Sequence, residues 1–173
     1  MATAGRAPAS IGNDETATNP RGIPYAPFVD RVEDYVATRE EVEPTLRSFQ
    51  EMISKYQFME MNLQRRMAGL KDKIPEIQKT LDTVRFLKLR KANVMLSYTT
   101  DEAETLLSSK LATANTSLSH CEEDLDFLRE QITTMEVATA RVYNWEVVQK
   151  RKDKSGEEVT KGQSGEKTGP SKN

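Results

Sequence analysis

The sequence offers few side chains that could bind a metal ion or act as a catalytic base. His120 and Cys121 are its single histidine and its single cysteine, and they are adjacent in the chain. Neighbouring side chains of a helix point about 100° apart, so these two are poorly placed to hold one ion together. We therefore predict a surface histidine beside a small buried thiol, and we expect neither a metal site nor an internal disulfide.

The acidic residues do not form a recognisable catalytic pair either. The densest acidic run, Glu122-Glu123-Asp124, falls on the polar faces of a helix. A catalytic carboxylate pair needs a cleft in which the pKa of one partner is raised. The sequence also contains no glycine-rich phosphate loop, no His-Glu-x-x-His and no Cys-x-x-Cys. We expect no enzyme, no catalytic residue and no cofactor.

The composition favours long helices or disorder over a compact domain with a large core. Apolar residues make up 36% of the 173-residue chain, charged residues 30% and aromatic residues 6%. Helices that bury one narrow stripe have such a composition. The formal net charge of −2 argues against a dedicated polyanion binder, and no apolar run approaches the ~20 residues of a membrane span. We expect a soluble, intracellular protein with neither a membrane nor a nucleic-acid partner.

An apolar heptad seam runs through the middle of the chain. From Leu46 to Val84, steps of three and four residues meet an apolar side chain at eleven of twelve positions, and Glu60 is the exception. An a/d pattern sustained this long is typical of a coiled coil, and it predicts a helix over about 40–90. Pro75 lies within the seam and predicts a kink or a short break there.

A second seam of the same kind follows. From Leu107 to Met135, alternating steps of four and three reach an apolar residue or Cys121 without a miss; Thr139 then weakens the pattern and Val142 resumes it. The segment 99–102, Thr-Thr-Asp-Glu, fits a capping box at the start of this helix. The second helix is predicted over about 100–149.

The seven or eight residues between the helices fix how the helices are arranged. A connector at 91–98 is too short for anything but an antiparallel hairpin, and alternating apolar residues give it a weak strand signal. The stretches 1–22 and 150–173 lack a hydrophobic period, so we predict disordered tails on either side of a coiled-coil hairpin at 23–149. The fold class is therefore all-α: two long helices, a short strand-like connector and disordered tails.

Several short segments resemble the alpha-type subunits of the prefoldin family. They occur in the order in which that family carries them, from about Asn19 to Gln149. The segments are Asn19-Pro20-Arg21-Gly22-Ile23-Pro24 ahead of Phe28-Val29, Lys55-Tyr56-Gln57-Phe58-Met59-Glu60-Met61-Asn62-Leu63, Ile74-Pro75-Glu76-Ile77, Ala92-Asn93-Val94-Met95-Leu96, Glu122-Glu123-Asp124-Leu125-Asp126-Phe127-Leu128-Arg129 and Ala140-Arg141-Val142-Tyr143-Asn144-Trp145.

The resemblance implies a subunit of a cytosolic heterohexamer of alpha-type and beta-type prefoldin subunits. Members of that family hold unfolded actin and tubulin at the tips of their coiled coils and pass them to the cytosolic chaperonin without ATP. The implied localisation is cytoplasmic, with the nucleus as an alternative. Because the helices are antiparallel, we predict that the tip of this chain contains the client-binding residues Phe49, Ile53, Val142, Tyr143 and Trp145.

The sequence departs from the family at one point. Alpha-type subunits carry two β-hairpins between their helices, whereas here Lys91 runs directly into Ala92, where the family's last strand would begin. A shortened splice form and a mis-joined gene model both explain such a loss. The missing strands bear on hexamer assembly, so an alternative function stays open: a coiled-coil adaptor or scaffold that binds one specific folded partner.

Overall fold

The computed structural model of the protein describes residues 17–90 and 99–162, with side chains described as far as Lys154. Two long helices account for most of these residues: α1 (Val42–Leu89) and α2 (Thr100–Gly162). Two short 3-10 helices, Val32–Asp34 and Arg39–Glu41, precede α1. No strand occurs within the described ranges, so the all-α prediction is confirmed. The predicted connector at 91–98, with its strand signal, lies outside them.

Both heptad seams are the buried faces of their helices. In α1 every seam position from Leu46 to Val84 is buried or half-buried, and in α2 the same holds from Leu107 to Val142. The most deeply buried seam side chains include Phe49, Tyr56, Leu81, Leu128, Met135 and Val142. A stripe of this width is what a helix pair can remove from water, and it explains how a chain with so few apolar residues folds.

The helix α1 runs through Pro75 without interruption. The predicted alternative of a break at this proline is therefore wrong. Pro75 itself is exposed, whereas Ile74 before it and Ile77 after it are half-buried in the seam. The proline removes one backbone donor, but packing of the flanking seam residues holds the helical conformation on both sides.

The start of α2 follows the prediction and its end does not. The Thr99 N–H donates to Glu102 Oε2 (3.0 Å), and the Glu102 N–H donates to Thr99 Oγ1 (3.3 Å), which confirms the capping box. The helix then continues past the predicted end at Gln149 as far as Gly162. Glu146 and Lys150 form an i,i+4 ion pair where this extension begins, and charged straight-chain residues sustain a helix without an apolar stripe.

The chain forms two compact units, and both long helices contribute to each. The first unit contains the described residues up to Ser54 and from Ile132 onward; the second contains residues 55–131. In the second unit, ion pairs between the helices join Arg85 to Glu104 and Lys71 to Glu122. From the first of these pairs to the second, the residue number falls on α1 and rises on α2. The helices are therefore antiparallel in this unit, as predicted.

The N-terminal segment is ordered earlier than the sequence predicted. Asn19 is buried, and its side-chain oxygen accepts hydrogen bonds from the N–H groups of Arg21 (3.0 Å) and Ile23 (2.8 Å). Gly22 adopts φ 84°, a left-handed conformation that glycine tolerates. The predicted tail at 1–22 therefore ends in a side-chain-stabilised turn at 19–23, and its residues 1–16 lie outside the described ranges.

Candidate functional site

The single charged residue of the α1 seam has a partner on α2. Glu60 is half-buried, and its Oε1 accepts a hydrogen bond from Arg129 Nε at 3.4 Å and from Gln64 Nε2 at 3.2 Å. The carboxylate therefore keeps hydrogen-bond partners although it occupies a hydrophobic position. One α-turn earlier, burial raises the pKa of Tyr56.

The buried face of α2 is wider than the predicted seam. Asp124, Gln131 and Ala138 are almost fully buried beside the seam residues, although the sequence placed Asp124 on a polar face. These three positions are seven residues apart, and each comes one residue before a seam position. Because 3.6 residues make a turn, this row lies at the edge of the buried face, where additional chain can also cover the helix.

In the first unit, that additional chain is the segment leading into α1. We call residues 23–41 the N-terminal strap. Two of its valines, Val29 and Val36, are buried at 2% and 0% exposure. The ring of Tyr35 packs edge-on against the ring of Phe49 in α1, with ring centroids 6.3 Å apart. The strap thus adds a third layer of apolar contact at the start of α1.

Arg141 of α2 holds the strap by its backbone and by an aromatic ring. Its guanidinium donates a hydrogen bond to the carbonyl oxygen of Val29. The same guanidinium lies over the ring of Phe28, 5.2 Å from the ring centroid, in a cation–π contact. Arg141 therefore contacts two successive strap residues, the main chain of Val29 and the side chain of Phe28.

Two further contacts continue along α2 beyond Arg141. The indole N–H of Trp145 donates to Glu33 Oε1 at 3.2 Å, and Arg39 pairs with Asp153 at 3.7 Å. From one contact to the next, the residue number increases on the strap and on α2 alike. The strap therefore runs in the same direction as α2. These polar contacts are exposed and contribute little individually, whereas the buried valines supply the apolar part of the association.

The five predicted client-binding residues all belong to the first unit, but they differ in accessibility. Phe49, Ile53 and Val142 are buried, Trp145 is half-buried, and Tyr143 is 57% exposed. The structure thus presents one of the five directly to solvent. The sequence interpretation assigned no structural role to the strap. Phe28-Val29 and Arg141 enter it only as parts of segments that resemble the prefoldin family.

At the other end of the described helices, charged side chains join α1 to α2. Lys88 Nζ lies 2.6 Å from Asp101 Oδ1 and 2.9 Å from Glu104 Oε2. The hydrogen bond to Asp101, followed by that to Glu104, raises the pKa of Lys88. The hydrogen bonds from Lys88 and then Arg85 lower the pKa of Glu104. Both pKa shifts favour the charged forms, of Lys88 and of Glu104.

The histidine and the cysteine, the residues best suited to bind a metal ion or act as a nucleophile, lie on different sides of α2. Cys121 is buried in the α2 seam and His120 is exposed, as predicted. Within the part of the chain that the structure describes, no three histidine, cysteine or carboxylate side chains come together to hold a metal ion. A search of the same residues for a helix apolar enough to cross a membrane finds none.

Paired helices with a buried seam, an apolar strap and a solvent-exposed aromatic define a coiled-coil interaction protein. The model of a family described as "Prefoldin subunit" matches residues 90–145. Prefoldin subunit 3 of Elsinoe fawcettii is 60% identical, covering 82% of this chain and 89% of its own length. The human prefoldin subunit 3 is 38% identical, covering 84% and 94%. This chain belongs to the prefoldin family. No solved structure matches it.

The relatives contain residues that this chain lacks. The alignment with the Elsinoe fawcettii protein extends over 175 positions, more than the whole 173-residue chain, yet takes up only 82% of it. A probable prefoldin subunit 3 of Schizosaccharomyces pombe, 45% identical, aligns over 170 positions with 80% of this chain and 99% of its own length. Part of each relative therefore has no counterpart here, which agrees with the sequence interpretation of a shortened chain.

Proposed function

We propose that this chain is a subunit of a prefoldin co-chaperone, which binds non-native proteins at the open end of its helix pair. By the open end we mean residues 42–54 and 132–154, together with the strap that covers them. The observation that carries the proposal is the 60% identity to a prefoldin subunit 3 over most of the chain. The paired helices supply the scaffold that such a role needs.

The clients that the resemblance implies are unfolded actin and tubulin, passed on to the cytosolic chaperonin without ATP. Non-native chains differ from native ones chiefly in their exposed apolar residues, so a suitable surface must offer apolar contacts that adapt to many sequences. The exposed aromatic side chains of the open end, Tyr25, Phe28 and Tyr143, are the parts that a client can reach first. We propose the cytoplasm as the location, with the other prefoldin subunits as partners.

A comparison of native and denatured actin tests this function. Tagged full-length chain is incubated with native actin, or with actin diluted out of denaturant, and retained actin is quantified without ATP. Retention of the denatured form alone supports the proposal, because both samples have the same sequence and differ only in exposed apolar surface. Equal retention of both forms, or of neither, contradicts it.

The residues missing relative to the curated relatives support a second candidate, a coiled-coil adaptor for one specific folded partner. The same experiment separates the two functions, since an adaptor should not distinguish actin by its folding state. Cross-linking of the tagged chain in cells, followed by identification of the captured proteins, gives a single folded partner for an adaptor. A co-chaperone subunit gives the other prefoldin subunits instead.

A further inference from the structure

The N-terminal strap is bound to α2 in the way that a protein binds an extended peptide. Its residues 25–29 have no regular secondary structure, and they lie against a helix that is more than a hundred positions away in the sequence. Val29 is buried at 2% exposure, while Phe28 next to it remains 63% exposed under the guanidinium of Arg141. The aliphatic residue of the pair is thus buried, and the aromatic residue before it packs against Arg141.

The contacts made by Arg141 require little of the bound sequence. A hydrogen bond to a main-chain carbonyl is available from any residue, and a cation–π contact accepts any aromatic ring. The buried site below needs only an aliphatic side chain about the size of valine. Together they select an aromatic residue followed by an aliphatic one, a pair that becomes exposed whenever a globular protein unfolds.

We infer that Arg141 is the centre of a peptide-recognition site for exposed aromatic–aliphatic pairs, and that Phe28-Val29 of the strap occupies this site in cis until a client displaces it. The inference rests on the proposed function and gives it a specific site. The inference also bears on the predicted client residue Phe49, because Tyr35 of the same strap packs edge-on against that seam ring. Displacement of the strap would remove this contact as well.

The strap is held by contacts that a competing peptide can replace. Besides the two contacts of Arg141, the links between the strap and α2 include the hydrogen bond from Trp145 to Glu33 and the ion pair between Arg39 and Asp153, in which the side chains are 53% and 64% exposed. Exposed polar links of this type add little stability. A segment without regular structure that is attached mainly at isolated side chains opens more readily than a helix.

The single tryptophan of the chain reports directly on the strap. Trp145 donates to Glu33 of the strap, and the chain contains no other tryptophan. A short, end-capped peptide with a Phe-Val pair between polar residues is titrated into the full-length chain while the emission is followed. We expect a saturable shift to longer wavelength, since the indole loses its partner and gains water. The same peptide with Ala-Ala in place of the pair should give no shift.

Two variants of the full-length chain separate the strap from the site. Phe28→Ala combined with Val29→Ala weakens the competitor but leaves Arg141 in place. The apparent affinity for a fluorescently labelled Phe-Val peptide, measured by anisotropy, should rise at least about fivefold, because the binding-competent fraction of the chain increases. Addition of Arg141→Ala to this variant should abolish that gain. Unchanged or weaker binding by the strap variant overturns the inference.

Matched control variants guard against general effects of the substitutions. Phe58 is 63% exposed, as Phe28 is, but it lies in the second unit. Arg66 is an exposed arginine of α1 in that same unit. Phe58→Ala and Arg66→Ala should both bind the peptide as the unaltered chain does. A circular dichroism spectrum with undiminished helix content shows that each variant is folded, and equal effects of Arg66→Ala and Arg141→Ala would refute a specific site.

Failure of this inference can be told apart from failure of the proposed function. If the unaltered chain retains denatured actin but the strap variant gains no peptide affinity, the co-chaperone function stands and the cis-occupied site is refuted. If the strap variant gains affinity and Trp145 responds while actin is not retained, the site exists and the function assigned to the chain is wrong.

Discussion

Replacement of Glu60 by leucine measures how much the charged residue in the α1 seam contributes to the stability of the fold. Glu60 faces α2, where Arg129 Nε donates to its carboxylate at 3.4 Å. The side chain of Glu60 is 22% exposed and that of Arg129 is 59% exposed, so water still reaches the pair. Glu60→Leu removes the ion pair and completes the apolar seam, which sets two opposing effects against each other.

The magnitudes favour the leucine. A partly exposed ion pair is worth about 0–1 kcal/mol. Full burial of a leucine contributes about 1.5–3 kcal/mol, and the residual exposure at this position reduces that gain to roughly 1–2 kcal/mol. We therefore expect Glu60→Leu to raise the free energy of unfolding by about 1 kcal/mol, or the melting temperature by about 2–4 °C for a chain of this size.

The assay is thermal unfolding followed by circular dichroism at 222 nm, with urea unfolding as a second measurement. Glu51→Leu, at an exposed position of the same helix, is the matched control and should change the melting temperature little. A decrease of several degrees in Glu60→Leu would refute the reasoning. It would mean that the pair between Glu60 and Arg129 is as strongly coupled as a desolvated one, which a double-mutant cycle with Arg129→Met would then quantify.

Three further changes follow from the packing and the charges. Leu128→Ala, at a side chain with 0% exposure, should lower the free energy of unfolding in urea by about 2–5 kcal/mol, whereas Leu106→Ala, 42% exposed, should cost much less. Thr99→Ala should lower the free energy of unfolding by about 0.5–2 kcal/mol through loss of the capping box. We expect faster amide hydrogen exchange in the first turn of α2, and unchanged exchange there would contradict the prediction. Because the pKa of Glu104 is lowered by Lys88 and then Arg85, its stabilising effect is present above the ordinary glutamate pKa and is lost as the pH falls through the lowered value. Glu104→Gln should therefore flatten the acid side of a stability–pH curve, and an unchanged curve would show that the network is too exposed to matter.

The helices could be predicted because their signal is local and repeated. Each seam position carries its own evidence for burial, and the capping box at Thr99 and Glu102 is read from four consecutive residues. The exception at Glu60 was visible in the sequence, but its partner was not. Arg129 is one of several charged residues on α2, and only the register of the two helices selects it.

The strap could not be predicted because its stabilising contacts are isolated and distant. Val29, Val32 and Val36 follow steps of three and four, but over too few residues to predict an element. The strap's hydrogen bonds to Arg141 and Trp145 join residues more than a hundred positions apart in the chain. The end of α2 was placed too early for a related reason: beyond Gln149 the helix loses its apolar stripe, and charged helix formers continue it to Gly162.

The proposal that this chain is a prefoldin co-chaperone subunit is tested most directly by the mass of the assembly it enters. The tagged full-length chain is co-expressed with the other prefoldin subunits, purified through its tag and measured by native mass spectrometry. We expect a heterohexamer that contains this chain together with the other subunits. Recovery of the 19.6 kDa chain alone, or with a single unrelated partner, would contradict it.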